Sequence, residues 1–439
     1  MIITDEMSAA LDHIQNQKGL VYITGKAGTG KTTFLRHLTE ILKKKYIIAA
    51  PTGVAAINAG GITLHSFLNI PLGVLDPKSA ERTKDSPIKK LLAKTIDVLI
   101  IDEVSMVRAD VMDYVDKKLR IYRDDDNAFG GVQVIMFGDL HQLPPVVKAE
   151  EKQHLERYYA GPQFFNAHVF RDEGFKIFEF TQVFRQTDET FVNILNNIRD
   201  FQVNAEDIAR LEETRNKSLA ENFDDKYIHI CSHRATVSEI NSRLLGKHTH
   251  EYKACLTGDY LPNLLACEET LKLRVGARVM TIVNDKEHRY CNGSLGVVKA
   301  LNETSVQVQL DDGLIVTMDA YTWEAIEYVV TDKGIEKKVK GACKQIPLQL
   351  AWAITIHKSQ GLTFDNIVIH SKHMFCPGQL YVALSRCRTL EGIATESFIT
   401  PRMILPDKEL HAFEKACKEH DNFFDTDAFL AMRSYCQQP

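Results

Sequence analysis

Between residues 20 and 146 the chain alternates short apolar runs with stretches of helical periodicity. Residues 20–24, 46–50, 98–101 and 132–137 are near-continuous runs of apolar, mostly β-branched residues. Such runs suit parallel strands covered by helices on both faces. They predict a doubly wound α/β lobe over residues 1–170. The same texture resumes at 175–180, 226–230 and 367–370, which predicts a second α/β lobe over 171–275 and 343–405. Between 276 and 342 the pattern changes to period two. Ser305 to Leu310 alternates strictly, and Asn292-Gly293 and Asp312-Gly313 are turn signals. A small β-barrel inserted in the second lobe is expected there. From 406 to 439 the pattern is helical and amphipathic, as for a tail packing across the lobes.

Composition narrows the class. The 439 residues are 44% hydrophobic and 25% charged, ordinary values for a globular protein. No apolar run reaches the roughly 18 residues of a membrane span. The acidic N-terminus lacks a signal pattern, so a cytoplasmic protein with no membrane partner is expected. Nine cysteines are dispersed without a CxxC pair, which reads as reduced thiols and neither a disulfide frame nor a zinc site. The formal net charge of −5 weighs against a protein that coats nucleic acid by charge alone. The lysine runs at 43–45, 89–90, 117–118 and 337–340 read first as solvated faces, and Trp352 as core.

The chemistry begins at Gly25-Lys-Ala-Gly-Thr-Gly-Lys31-Thr32, which matches the P-loop pattern G-x-x-x-x-G-K-[ST]. A strand precedes it and a helix follows. Gly28 and Gly30 let backbone N–H groups close around phosphate oxygens, and the helix start adds partial positive charge from Thr33 onward. Lys31 is placed to reach the β- and γ-phosphates of ATP, and Thr32 to hold Mg²⁺. Downstream, the apolar strand at 98–101 ends in Asp102-Glu103. Asp102 then fixes the Mg²⁺, and Glu103 polarises the attacking water. That pair suits hydrolysis.

Further segments carry a family resemblance. Phe129-Gly-Gly-Val-Gln-Val-Ile-Met-Phe-Gly-Asp139-Leu-His-Gln142-Leu-Pro-Pro-Val146 resembles motif III of superfamily 1 helicases of the Pif and RecD-like branch. Ala50-Pro-Thr52-Gly-Val-Ala-Ala56 is similar to motif Ia, and Gly61-Ile-Thr63-Leu-His65-Ser66-Phe67 to the segment after it. Thr181-Gln-Val-Phe-Arg185-Gln186 resembles motif IV. Thr355-Ile-His357-Lys-Ser359-Gln-Gly361-Leu-Thr363 resembles motif V, and Tyr381-Val-Ala-Leu-Ser-Arg386 motif VI. The resemblance spans most of the chain. It implies two RecA-like P-loop lobes, with a small wedge excursion at 64–75 in lobe 1 and an SH3-like β-barrel inserted in lobe 2. The bland alternative for 64–75 is a loop packed back on its lobe.

The resemblance also implies roles. Arg185 and Arg386 approach the γ-phosphate, where an arginine can be worth about 10³–10⁵ in rate. Gln142 senses the γ-phosphate, and Gly361 joins the nucleotide site. Thr52, Thr63, Ser66, Thr355, His357, Ser359 and Thr363 supply hydroxyls, an imidazole and nearby N–H groups to the phosphates of single-stranded DNA. The ordinary reading of such hydroxyls is turn capping. His65 and Phe67 face bases, with Phe67 open between core and base contact. One departure stands out: Met7 follows Glu6 where the family has a Glu-Gln pair, and methionine can pack on an adenine but cannot bond its edge.

The implied activity is that of an ATP-dependent 5′-to-3′ DNA helicase acting as a monomer. Its expected substrates are single-stranded DNA, forked or tailed duplex DNA, DNA–RNA hybrids and G-quadruplexes. The chain reads as a minimal bacterial form. A P-loop kinase would explain the phosphate loop but not Arg185, His357 or Arg386. An ATP-gated DNA-binding subunit or translocase without strand separation is the nearer alternative.

Overall fold

The computed structural model describes residues 3–436 apart from 72, 77, 84–85, 185–187, 217, 219–225, 259–266, 286, 288, 291, 332–333 and 373. At 54, 57–58, 324–331, 334–338 and 340 it describes the backbone alone. The chain divides into two compact units. One comprises residues 1–186, 376–378 and 405–439; the other comprises 187–375 and 379–404.

The first unit is built on a sheet of seven strands. Its parallel members are β1 (Leu20–Gly25), β2 (Tyr46–Ala50), β3 (Ile62–Thr63), β4 (Val98–Ile101), β5 (Gln133–Phe137) and β6 (Phe175–Phe180). They lie in the order β6-β1-β5-β4-β2-β3, and a short antiparallel strand, Phe423–Phe424, closes the β6 edge. Alternation within each apolar run fills both faces. Val21, Ile23, Val98, Ile100, Ile135 and Phe137 face helices Asp5–Asn16 and Lys31–Ile41. Tyr22, Leu99, Ile101, Val134 and Met136 face a larger core that includes helix Ala109–Arg123.

Several expectations change here. Phe175–Phe180 was expected in the second lobe; it pairs in parallel with β1, so the first unit runs to residue 186 and not 170. Its edge-to-edge pairing is tertiary and leaves no mark on its apolar pattern. The tail at 406–439 was expected to pack across the lobes; it belongs to the first unit. Helix Lys408–Glu419 and the strand Phe423–Phe424 bring Phe413 and Phe424 onto Phe165 and Phe175, with Phe165 and Phe413 stacked at 4.2 Å, and Phe429 of helix Thr426–Cys436 meets Phe424 edge-on. Lys118 is no solvated charge. It is buried, and its amine donates to the carbonyls of Ala80 and Thr83 at 3.0 Å each, pinning helix Ser79–Arg82 to helix Ala109–Arg123.

The apolar segment at 64–75 does not project. Leu64, Phe67, Leu68, Ile70 and Leu75 are buried in the first unit's core, while Leu72 lies outside the described residues. A buried ion pair anchors the segment's end. Arg108 donates to both carboxylate oxygens of Asp110, and Arg108 also donates to the Gly73 carbonyl at 2.6 Å. The Leu75 N–H in turn donates to Asp110 at 2.8 Å.

The second unit holds a four-stranded parallel sheet. Its strands are β7 (Ile228–Cys231), β18 (Ala353–Thr355), β19 (Ile367–His370) and β20 (Ile393–Thr395), in the order β18-β7-β19-β20. Between β7 and β18 the strands are antiparallel. In chain order they are β8 (His250–Lys253), β9 (Cys255–Gly258), β10 (Thr270–Leu273), β11 (Arg278–Thr281), β12 (Leu295–Leu301), β13 (Ser305–Leu310), β14 (Ile315–Asp319), β15 (Tyr321–Thr331), β16 (Gly334–Gln345) and β17 (Leu348–Leu350). A five-stranded sheet, β14-β13-β12-β11-β17, encloses Val279, Val298, Val306, Val308, Val316 and Leu348. β15, β16 and β9 form a second sheet, and β8 and β10 a pair. The insertion therefore reaches from about residue 250 to 350, wider than the expected 276–342, because β8–β10 and β17 pair within it. Trp352 packs in its core as expected. Among the described residues no helix is long and apolar enough to cross a membrane.

The tail carries a titrating group into the first unit. Burial is the main cause that pushes the Glu409 carboxyl up to about 7, against a 3.1 Å hydrogen bond from Asn166 that lowers it. A carboxyl raised on folding stabilises the fold in its protonated form. That contribution is complete below the unfolded value near 4.5 and is lost as pH rises through about 7. Thermal midpoints measured from pH 5 to 8 should fall more steeply for the wild type than for Glu409→Gln; parallel curves would remove Glu409 as the source.

Candidate nucleotide and nucleic-acid site

Three neighbouring strands of the first unit end level with one another. Ile23 of β1 pairs with Phe137 of β5, and Ile101 of β4 pairs with Met136. The loops leaving their carboxyl ends therefore start in one row: the Gly25–Lys31 loop, then Gly138-Asp139, then Asp102-Glu103. In open α/β sheets this edge is where ligands bind.

The phosphate loop needs its glycines for definite reasons. Gly25, Gly28 and Gly30 all have positive φ, at 149°, 83° and 83°. A Cβ on Gly25 would also run into the carbonyl of Phe180 on β6. Gly30 caps helix Lys31–Ile41, and the Phe34 N–H donates to its carbonyl. The Lys31 ammonium folds over the loop and donates to the carbonyls of Gly25 at 2.6 Å and Lys26 at 3.0 Å. Thr32 and Thr33 are exposed at the helix start.

Asp102 and Glu103 create the site's charge. Burial, followed by the neighbouring Glu103 charge, pushes the Asp102 carboxyl up to about 7, and Lys31 opposes the shift. Two half-buried carboxylates held side by side call for a cation or a phosphate-bound counter-ion. Glu103 has φ +52°, a left-handed conformation costing of order 1–3 kcal/mol in a non-glycine residue. It lies two residues past the end of β4 and caps the turn Val104–Met106. Gly138 lets the β5 loop approach, since a Cβ there would lie 3.0 Å from Val104. A carboxylate and a hydroxyl, as at Asp102 and Thr32, are the kind of oxygen donors that could hold Mg²⁺ together with substrate phosphates.

Gln142 follows on the same edge. Its side chain is buried and donates to Asp139 at 3.2 Å, and its N–H donates to the Asp139 carbonyl at 3.0 Å. Two distant pieces of chain brace this turn. His141 meets Glu414 of the tail at 2.6 Å. Gly378, at φ +76°, lies so close that a Cβ would run into the Gln142 carbonyl. Sequence reasoning missed both. Glu414 lies 273 residues from its partner, and only the Pro377-Gly378 turn signal hinted at a special backbone there.

In the second unit, Arg386 is buried with its guanidinium turned onto backbone. It donates to the carbonyls of Val382, Ser359 and Leu362 at 2.9, 3.4 and 3.3 Å and to the Ser385 hydroxyl at 2.8 Å. The motif V and motif VI segments are thus joined. Gly361, at φ +79°, is the exposed apex of that turn, and Thr363 is half-buried beside it. The Thr355 oxygen caps helix Ile356–Ser359 by accepting the Lys358 N–H at 3.2 Å. The Ser359 hydroxyl is buried and donates to the Ile356 carbonyl. Burial, then the charge of Arg234, pushes the half-buried His357 imidazole down from its usual range. Arg185 lies outside the described residues, as do the side chains of Lys337, Lys338 and Lys340.

The first unit's track residues are mixed in character. Thr52 accepts the Ala55 N–H, and Thr63 accepts the Ser66 N–H while donating to the Ser66 hydroxyl. These hydroxyls cap short helices, the ordinary role. The capped helix starts still present neighbouring N–H groups. Phe67 is a correction: it is buried in the core and cannot stack on a base. Its side chain shares the inward face of helix Leu64–Leu68 with Leu64 and Leu68. His65 is half-buried, and desolvation lowers its pKa. Met7 is buried, with its methyl 3.5 Å from where a Cβ on Gly30 would sit. Glu6 accepts a 2.7 Å hydrogen bond from Thr181, which lowers its pKa.

The bracing of Gln142 is testable. Gly378→Ala should displace the turn and reduce ATP turnover by about 10²-fold, the scale of a misplacement near 1 Å. Gly246→Ala, which meets nothing within 4 Å, shares the positive φ and controls for backbone strain. Equal effects of the two would show that the Gln142 contact is unimportant.

Residues 2–209 match the family described as PIF1-like helicase. The chain is 33% identical over 95% of its length to ATP-dependent DNA helicase PIF1 of Danio rerio, of which it spans 64%. It is 32% identical to ATP-dependent DNA helicase Pif1 of Campylobacter jejuni, with 83% of this chain and 86% of that protein covered. The crystal structure of Bacteroides Pif1 in complex with ADP-AlF3 and ssDNA is 50% identical, covers 97% of this chain and 99% of its own, and superposes with a TM-score of 0.76. With the phosphate loop and the paired carboxylates on one edge of the sheet, and with these relatives matched over most of its length, this chain belongs to the Pif1 family of helicases.

Proposed function

We propose that the protein is an ATP-dependent DNA helicase that moves 5′ to 3′ along single-stranded DNA and separates duplex at forks and tails. The observation that carries this reading is the row of strand ends bearing Lys31, Gln142 and the Asp102-Glu103 pair. The relative from Bacteroides, solved with a nucleotide analogue and single-stranded DNA, supports the ligand pair.

In this reading Lys31 leaves the Gly25 and Lys26 carbonyls to bind the β- and γ-phosphates. Loop N–H groups from Gly28 to Thr33 hold the remaining phosphate oxygens. Thr32 and Asp102 hold Mg²⁺, which when bound neutralises phosphate charge. Glu103 takes a proton from the attacking water, and Gln142 orients that water. Arg185 and Arg386 supply positive charge as the phosphate bond breaks, and Gly361 lets backbone approach the nucleotide. Thr52, Thr63, Ser66, Thr355, His357, Ser359 and Thr363, with the N–H groups they position, grip the DNA backbone, and His65 faces a base. Neutral polar contacts suit a track that must be released at every step. The five-stranded antiparallel sheet serves as the SH3-like module. A single chain carries both units, so one copy suffices for the cycle. DNA–RNA hybrids and G-quadruplexes are further substrates on the same reading.

Unwinding of duplexes tailed on the 5′ or the 3′ strand tests the proposal. Only the 5′-tailed substrate should open, and only with ATP. Glu103→Gln should bind ATP with near wild-type affinity and fail to turn it over. Stepping without strand separation would favour the translocase alternative; ATP turnover indifferent to single strands would reject both.

A further inference from the structure

We propose that His233 and Phe375, with Arg234 beside them, form a base-stacking platform for single-stranded DNA on the second unit. The inference rests on the DNA-motor reading above and adds a contact that none of the helicase motifs contains.

Three parallel strands of the second unit end at one level. Cys231 of β7 pairs with Thr355 of β18 on one side and with His370 of β19 on the other. The chain leaving β18 carries His357. The chain leaving β7 carries Ser232, His233 and Arg234. The chain leaving β19 runs on to Phe375. The platform and the motif V residues therefore leave adjacent strand ends on the same edge of the sheet.

The two rings are presented, not merely left out. Phe375 is 58% exposed, and its ring lies 4.9 Å from that of His233, tilted by 54°. Its backbone is braced, because the Phe375 N–H donates at 2.9 Å to the buried Gln379 side chain. His233 is fixed by a 2.8 Å hydrogen bond between its Nδ1 and the Ser232 hydroxyl. A side chain this large, exposed on a fixed backbone beside a second ring, offers a flat apolar face to solvent. Arg234 is exposed at the start of helix Arg234–Leu245, and its charge is felt at His357. One positive charge on the residue that follows His233 suits a nucleotide: phosphate to the guanidinium and base to the ring face. Stacking needs no particular base, as a motor on arbitrary sequence requires.

The test uses the full chain and labelled oligo(dT), with binding read by anisotropy and ATP turnover read against DNA concentration. Phe375→Ala should weaken binding about five- to a hundredfold, the range for one stacked base. The DNA concentration for half-maximal ATP turnover should rise by the same factor. Phe375→Trp should restore both. Oligonucleotides carrying one abasic site at successive positions supply a readout that a merely structural role would not move. At one position the gap should weaken the wild type but leave Phe375→Ala unaffected. Arg234→Gln should lower the slope of log affinity against log salt by about 0.7. Unchanged affinity in Phe375→Ala, or an abasic penalty that persists in that variant at every position, would overturn the platform. ATP turnover in the wild type that ignores DNA altogether would reject the motor reading itself.

Discussion

The level ending of β1, β5 and β4 is the constraint on which the site depends. Parallel strands in one sheet share a direction, so their carboxyl ends and the loops that follow lie along one edge. Hydrogen-bond register fixes how level those ends are. Here Ile23 stands opposite Phe137, and Met136 opposite Ile101. That alignment brings Lys31 close enough to Asp102 to oppose the rise in its pKa. It also leaves two carboxylates partly desolvated in the same place, with Glu103 held in a left-handed turn. Both features cost stability. A cation or a bound phosphate chain would offset the repulsion between the two carboxylates.

The polar residues of the motifs show a second economy. Thr52, Thr63 and Thr355 accept backbone N–H bonds that start short helices. Arg386 spends its donors on carbonyls that tie motif VI to motif V. These bonds shape loops first. What the loops expose, such as helix-start N–H groups and the glycine apex at 361, is what the proposed function assigns to ligands. On the proposed function, contacts of this modest, uncharged kind suit a track that must be released at every step.

The last residues of the chain belong to the first unit's architecture. Phe413 and Phe424 complete an aromatic cluster with Phe165 and Phe175, and the strand Phe423–Phe424 extends the sheet past β6. Glu414, on the same helix as Phe413, reaches His141 next to Gln142. Packing of the tail and positioning of the motif III turn are thus coupled through one helix.

How much the sequence determined by itself follows from the range of the interactions involved. The phosphate loop, the Asp102-Glu103 strand end and the alternation at 305–310 are local patterns, legible because backbone geometry and apolar periodicity act over a few residues. The motif resemblance extended that reading to Arg386 and Gln142. Tertiary structure alone decided the rest. Phe175–Phe180 reads as a strand of either lobe, and pairing with β1 assigned it. Phe67 could face a base or the core, and packing on the first unit's helices buried it. Lys118 looked like surface until two carbonyls from a distant helix turn enclosed its amine. In each case the deciding contact joins residues far apart in sequence, and a one-dimensional pattern carries no information about which distant neighbour will arrive.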